Sequence, residues 1–264
     1  MFNHIIIIKK LISKKKRLDQ ILVDKNLVTS KSKAQAMIMA GQIYVDGKQI
    51  NKSGFNLNVD SFIEIKRLGP EWVSRGAIKL IKALDEFNID VDNKICLDIG
   101  SSTGGFTDVL INRGAKKIYA VDVGTNQLHE KLKNNIKVIS LEKTNARYLK
   151  KEIFNELIEL MVCDVSFISL KKVIAPNLKY LSNESIIIAL IKPQFESKKK
   201  ELKKGVIKDH KIHHRICNDI KEWFESKCSC KVIGIVDSPI KGPKGNIEFL
   251  ITVKIKNNVD SDQL

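Results

Sequence analysis

The residues best placed for chemistry stand in Lys94–Thr107, read KICLDIGSSTGGFT. Ile95, Leu97 and Ile99 form a short apolar run that Asp98 and Gly100 close. A loop of Ser and Gly follows, and an apolar pattern at helical spacing begins at Phe106. Strand, glycine-rich turn and helix in this order open a nucleotide-type α/β unit. The glycines allow close approach of backbone to a ligand, and the helix N-terminus offers free N–H groups at the positive end of its dipole. The spacing is neither GxGxxG nor GxxxxGK[ST], so neither the dinucleotide fingerprint nor the phosphate loop is met. An acid beside the turn suits a ligand with a positive or hydroxyl-rich end better than a phosphate. Two further acids end apolar runs: Asp122 closes KKIYAVD and Asp164 closes LMVCD. In an open α/β sheet the ligand lies beyond the carboxyl ends of the strands. An acid at the position of Asp122 can accept from both ribose hydroxyls of an adenosine, which admits NAD and S-adenosylmethionine alike.

These residues need a sheet to bring them together. From Ile95 onward, strands and helices alternate. Ile95–Ile99, KKIYAVDVG, a run near Ile136–Ser140, Leu160–Val165 and SIIIALIKPQF read as five strands, with Lys192 just past the last and Pro193 ending its pairing. A long amphipathic helix lies within Ile207–Cys228. KVIGIVDSPI and NIEFLITVKI read as two late strands joined by Lys241–Asn246. Seven strands with intervening helices make one doubly wound parallel sheet. The late pair, with no helix between its members, predicts an antiparallel edge. A helix over Ser74–Phe87 precedes the first strand and carries Lys79 near its beginning.

Composition bounds the partners. The chain has 264 residues and a formal net charge of +16, with 46 Lys and Arg against 30 Asp and Glu. Such an excess draws a protein toward polyanions, either nucleic acid or an anionic membrane surface. No stretch is long and apolar enough to span a bilayer, and Ile5–Ile8 with its trailing lysines lacks the order of a signal peptide. The five cysteines do not form a disulfide framework, and Cys228 and Cys230 are too isolated for zinc. His210, His213 and His214 lack a matching ligand set. A reduced, cytoplasmic protein without a metal is expected.

Ahead of the sheet lies a compact unit. Leu18, Ile21 and Leu22 fall at helical spacing. Ser30 or Ser32 precedes a second helix that ends at Gly41, and Asp46-Gly47 marks a hairpin turn. The pattern RLDQxL followed by SxSxAQxMIxAGxIYVDG resembles an S4 RNA-binding domain. Such a module meets structured RNA through shape and phosphate contacts, and Arg17, Lys31, Lys33 and Lys48 are its candidate contacts here.

The remaining motifs, WVSRGAIKL, CLDIGSSTGGFTDVL, VDVGTNQL, LEKTNAR, CDVSFISL, IKPQFE and PIKGPKGNIEFL, resemble in that order the TlyA family. Its members, historically called hemolysins, join an S4 domain to an FtsJ-like ribose 2′-O-methyltransferase domain. The resemblance implies a Rossmann-like methyltransferase sheet in the order 3-2-1-4-5-7-6. It implies a basic extension over 1–16, an S4-like domain over 17–67, a linker over 68–73, the methyltransferase domain over 74–256 and a tail over 257–264. It implies a catalytic tetrad of Lys79, Asp164, Lys192 and Glu248. It also implies an S-adenosylmethionine site at Asp98, Gly100, Ser102, Thr103, Gly104, Gly105, Phe106, Asp122, Thr144, Asn145 and Asp164.

Arg75 and Arg147 are further candidates for RNA contact. The implied activity is S-adenosylmethionine-dependent 2′-O-methylation of ribosomal RNA at cytidine, with ribosomal RNA or subunits as partners and no membrane insertion. Chemistry agrees. A ribose hydroxyl is a poor nucleophile, so it must be aligned with the methyl donor and its developing alkoxide stabilised. Lysine ammoniums suit the second task, and Lys192 is the choice for the group nearest the 2′-oxygen. The alternatives are a non-catalytic RNA-binding or ribosome-assembly factor, a membrane-active toxin and, from Asp122 alone, a dehydrogenase.

Overall fold

The computed structural model describes residues 15–39, 41–65 and 72–256. The chain divides into two units between residues 71 and 72. Most of the 1–16 extension, part of the linker and the 257–264 tail lie outside the described residues.

The first unit comprises β1 (Lys15–Arg17), α1 (Leu18–Asp24), α2 (Lys31–Met39), β2 (Ile43–Val45), β3 (Lys48–Gln49), β4 (Asn56–Asn58) and β5 (Ile63–Ile65). Leu18, Ile21 and Leu22 form one buried stripe of α1, and Ala34 and Ile38 of α2 meet it beside Ile43. Ser30 Oγ accepts from the Lys33 amide at 3.2 Å and caps α2. Asp46 and Gly47 turn β2 into β3 with φ of 48° and 79°, the left-handed pair that a two-residue hairpin uses. β1 pairs with β4, so Lys15 and Lys16, read from sequence as the end of an extension, belong to a strand. Arg17 grips Asp19 through two hydrogen bonds, of 3.0 and 2.7 Å. Gln35 adds a third donor to that buried carboxylate. The Arg17 bonds hold the Asp19 carboxyl far below the ordinary range.

The second unit begins with α3 (Ala77–Glu86) and alternates through β6 (Ile95–Ile99), α4 (Gly105–Asn112), β7 (Lys117–Val121), α5 (Glu130–Lys133), β8 (Val138–Leu141), β9 (Ile158–Cys163), α6 (Leu170–Ile174), β10 (Leu181–Ile191), α7 (Pro193–Glu196), α8 (His210–Lys227), β11 (Cys230–Asp237) and β12 (Phe249–Ile255). Its sheet runs β8-β7-β6-β9-β10-β12-β11. Counted within the sheet, that is 3-2-1-4-5-7-6, as the sequence implied. Alternate residues serve opposite faces. Leu97, Met161, Ile187 and Ile251 pack beneath α6 and α8, while Cys96, Leu160, Ile188 and Leu250 pack beneath α3 and α4.

The late pair forms an antiparallel edge, as the lack of a helix between its members predicts, with β11 outermost. β12 inserts between β10 and β11 and pairs antiparallel with both. Burial explains the placement. Leu250, Ile251, Thr252 and Val253 are consecutive and fully buried, which only an interior strand achieves. β11 is half-exposed along most of its length and takes the edge.

Gly100 fixes the junction of β6 with the turn. Its φ is +82°, and a Cβ there would stand 2.5 Å from the Asp164 carbonyl oxygen. Gly100→Ala is expected to destabilise the protein by about 2 kcal/mol or more, from left-handed strain plus that clash. A fall in urea midpoint at unchanged slope is the signature.

Candidate active site

The sheet delivers four charged side chains to one point. Lys79 projects from the first turn of α3, Asp164 follows β9, Lys192 follows β10 and Glu248 precedes β12. Because β12 runs opposite to its neighbours, its first residues meet the last residues of β9 and β10. Lys79 Nζ donates to Glu248 Oε2 at 2.8 Å and to Asp164 Oδ2 at 3.4 Å. Lys192 Nζ lies 2.6 Å from Asp164 Oδ1 and donates to Ser166 Oγ at 2.9 Å. The result is an alternating chain, Glu248–Lys79–Asp164–Lys192, with Asp164 bridging the two ammoniums. Glu248 is 1% exposed and each lysine 8%. Gln194 Nε2 donates to Glu248 Oε1 at 3.4 Å. A Cβ on Gly242 would stand 2.1 Å from the same oxygen, so the backbone there lies directly against the carboxylate.

The turn after β6 is built beside this cluster. Ser102 and Gly104 adopt φ of 47° and 95°. Asp122 Oδ2 accepts from the Ser102 amide at 2.8 Å and Oδ1 from the Gly124 amide at 2.7 Å. The half-exposed carboxylate is thus aimed by backbone and keeps lone pairs for a ligand. Asp98 is fully buried. Its Oδ2 accepts from Thr107 Oγ1 at 2.6 Å, while its Oδ1 has no partner among the described residues. Burial pushes the Asp98 carboxyl up to about 7, the Thr107 bond opposes this, and the charge of Asp164 adds to it.

Other sequence candidates land differently. Phe106 is 4% exposed and packs into the core, so it supports the turn rather than presenting its ring. Thr144 donates its hydroxyl to the Glu142 carbonyl at 2.9 Å, and its amide donates to the Asp122 carbonyl at 2.9 Å. Asn145 Oδ1 caps the turn over 146–148 by accepting from the Arg147 amide at 3.1 Å. Gly105 opens α4 against Ser74, and the Thr103 carbonyl accepts from the His129 amide at 3.2 Å. Arg75 is exposed and donates to the Lys241 carbonyl at 3.4 Å. Arg147 is exposed above the Tyr148 ring. In the first unit, Lys31, Lys33 and Lys48 are exposed.

Sequence reading missed four supporting residues. Ser166 and Gln194 hold Lys192 and Glu248. Glu142 accepts from the amides of Asn126, Gln127 and Leu128, and these bonds, that of Leu128 foremost, hold its carboxyl below the ordinary range. Phe167 is 90% exposed at a left-handed φ of 64°, with its ring 5.0 Å from that of Phe195. A bulky residue at that φ is strained, and such strain gathers at functional loops. An aromatic three residues past the acid in CDVSF was the available signal.

Two stability effects follow. Lys79→Met leaves Glu248 buried without its closest cation and is expected to cost about 3 kcal/mol. Lys79→Met combined with Glu248→Gln should cost less than the sum of the two single changes, as a double-mutant cycle by urea unfolding would read. For Asp98, the native carboxyl holds its proton to about 7, against about 4 in an unfolded chain. The native state then binds more protons in that window, so stability falls as pH rises from about 4 to about 7. Asp98→Asn should flatten that fall, measured as unfolding free energy against pH relative to wild type.

The family model for FtsJ-like methyltransferases matches residues 72–255, and that for the S4 domain matches 16–63. The chain is 44% identical over 237 residues to hemolysin A of Brachyspira hyodysenteriae, covering 89% of this chain and 98% of that protein. It is 36% identical to the 16S/23S rRNA (cytidine-2′-O)-methyltransferase TlyA of Mycobacterium tuberculosis, over 93% of this chain and 92% of that one. A solved structure described as a hemolysin from Streptococcus thermophilus is 36% identical, with a TM-score of 0.71, covering 93% of this chain and 90% of that chain. A sheet in methyltransferase order, a turn with Asp98 and Asp122 beside it, and matches spanning nearly the whole chain lead to one assignment: the chain belongs to the FtsJ-like methyltransferase family, in the TlyA group that carries an S4 domain.

Proposed function

We propose that this chain transfers a methyl group from S-adenosylmethionine to the ribose 2′-hydroxyl of a cytidine in ribosomal RNA. The observation that carries the reading is the buried Lys79–Asp164–Lys192–Glu248 cluster at the carboxyl edge of the sheet.

The residues beside β6 fit the donor. Asp122 is aimed by two amides and suits a pair of ribose hydroxyls. The unpartnered Oδ1 of Asp98 suits a ligand carrying positive charge or N–H donors. The backbone of Gly100, Ser102, Thr103, Gly104 and Gly105 forms the turn between them, and Thr144 and Asn145 close the side next to Asp122. When bound, S-adenosylmethionine supplies a methyl group on a sulfonium, already activated for displacement.

The protein's task is then alignment and charge. Lys192 stands at the end of the alternating chain away from Glu248, and we place it against the 2′-oxygen. There its N–H groups orient the hydroxyl and stabilise the charge on oxygen as the O–methyl bond would form and the S–methyl bond break, with S-adenosylhomocysteine leaving and the hydroxyl proton passing to solvent. Asp164 holds both ammoniums in place and limits their repulsion. Glu248, anchored by Gln194 and the backbone at Gly242, fixes Lys79 as the second cation behind Asp164. Phe167 offers an open aromatic face beyond Ser166 on which a base can stack. Arg17, Lys31, Lys33 and Lys48 of the S4 unit, with Arg75 and Arg147, are proposed to meet RNA phosphate, and the place of action is the cytoplasm, where ribosomal subunits are found.

The test incubates purified protein and radiolabelled donor with ribosomal subunits that lack the modification. Labelled 2′-O-methylcytidine in a nuclease digest is the expected product. Lys192→Ala should lower turnover by roughly 10²-fold or more while donor affinity stays within about twofold. Retained turnover removes Lys192 from the centre. Absence of any product, with folded protein and bound donor, favours a non-catalytic RNA-binding factor.

A further inference from the structure

Two loops next to the cluster share an unusual construction. Residues 203–206 form a hairpin tip, with the Lys203 and Val206 amides donating to each other's carbonyls at 3.1 Å. The tip is Lys204-Gly205, with φ of 53° and 81°. Residues 242–246 form a second tip, closed by the Gly242 amide on the Asn246 carbonyl at 2.9 Å. Here the tip is Lys244-Gly245, with φ of 58° and 84°. Each tip therefore holds a lysine in the left-handed region, where a side chain costs energy and Asn is preferred.

Asn246 fastens the tips together. It is 4% exposed. Its Nδ2 donates to the Gly205 carbonyl at 3.0 Å and the Pro243 carbonyl at 3.1 Å, and its Oδ1 accepts from the Ile207 amide at 3.3 Å. The Lys244 ammonium lies 3.4 Å from where a Cβ on Gly205 would stand. Lys203, Lys204, Lys208, Lys241 and Lys244 are exposed on this paired structure. The nearby acids are engaged elsewhere: Glu196 on Ser169 and Leu170, Glu201 on Arg215, and Asp209 on the amide of Lys211 as the cap of α8. Both tips grow from the cluster itself, one after Lys192 through α7, the other running into Glu248 past Gly242.

We infer that the paired Lys-Gly tips, fastened by Asn246, form a ledge that binds the phosphodiester backbone of the RNA strand entering the Lys79–Glu248 site. The inference rests on the reading that the substrate is RNA. It adds a contact within the catalytic unit, beside Arg75, whose guanidinium donates to the Lys241 carbonyl at 3.4 Å. Lysines carried on two fastened backbone tips beside a reacting ribose set the register of the strand, because phosphate contacts position without reading sequence.

The experiment measures binding of the full chain to a fluorescein-labelled, single-stranded RNA 20-mer across a salt series, with no methyl transfer required. Lys204→Gln with Lys244→Gln should raise Kd roughly tenfold and reduce the slope of log K against log salt by roughly 1.4, at about 0.7 per phosphate contact. Lys227→Gln with Lys231→Gln, exposed lysines at the amino ends of the strands, should leave both unchanged. Asn246→Ala, which removes no charge, should weaken RNA binding while donor affinity by calorimetry stays at the wild-type value. Unchanged binding in the Lys204/Lys244 pair overturns the ledge. So does an equal loss in the control pair, or a loss seen with phosphatidylglycerol vesicles and not with RNA. Because binding alone is read, failure to find a methylated ribose leaves this result standing, and Lys192→Ala should retain the salt slope.

Discussion

The structure depends on two buried ammoniums sharing the Asp164 carboxylate. Charges of this kind are costly to desolvate, and attraction repays that cost only when each partner is close and the remaining polar atoms are met. Here Glu248 answers Lys79 at 2.8 Å and Asp164 stands 2.6 Å from Lys192. Four separate segments must converge for that to happen: the start of α3, the ends of β9 and β10, and the approach to β12. The sheet order serves this convergence. Placing β12 between β10 and β11 brings Glu248 to the carboxyl edge, where no parallel strand could have presented its first residue.

The turn after β6 shows the same economy of placement. Asp122 uses its carboxylate to gather the Ser102 and Gly124 amides, and Glu142 gathers three more from 126–128. Acids thus shape loops that would otherwise leave N–H groups unmet. Asp98 differs: one oxygen is satisfied by Thr107 and the other, fully buried, has no partner among the described residues. A buried unsatisfied oxygen is a poor stabiliser, and packing alone does not account for it.

Much of this was legible in the sequence. Apolar runs closed by Asp98, Asp122 and Asp164 marked three strand ends, and ordered motifs located Lys79, Lys192 and Glu248 far apart in the chain. Residues whose roles depend on three-dimensional neighbours were not legible. Phe106 begins an apolar helical pattern beside a glycine turn, and its ring could face ligand or core; packing decides for the core. Asn246 sits in a Gly-Pro-Lys-Gly-Asn loop that reads as solvent-exposed, yet Gly205 and Ile207, some forty residues earlier, bury it. The inner place of β12 was written in the unbroken run LITV, which an edge strand would not need. The pairing rule for consecutive strands favours neighbours, and that part held, since β11 and β12 do pair; burial then fixed which of them faces solvent.

The position of β12 also has a consequence for the order in which the molecule is made. β12 is the last described strand to leave the ribosome, yet it occupies an interior slot and its leading residue completes the charge cluster. Until residues 248–255 are available, β10 and β11 lack the strand that lies between them, and Lys79 lacks Glu248. The nascent chain therefore has the turn after β6 and two lysines but no completed charge cluster. On the proposed reading, competence arrives with closure of the sheet, since only then does Lys79 gain Glu248.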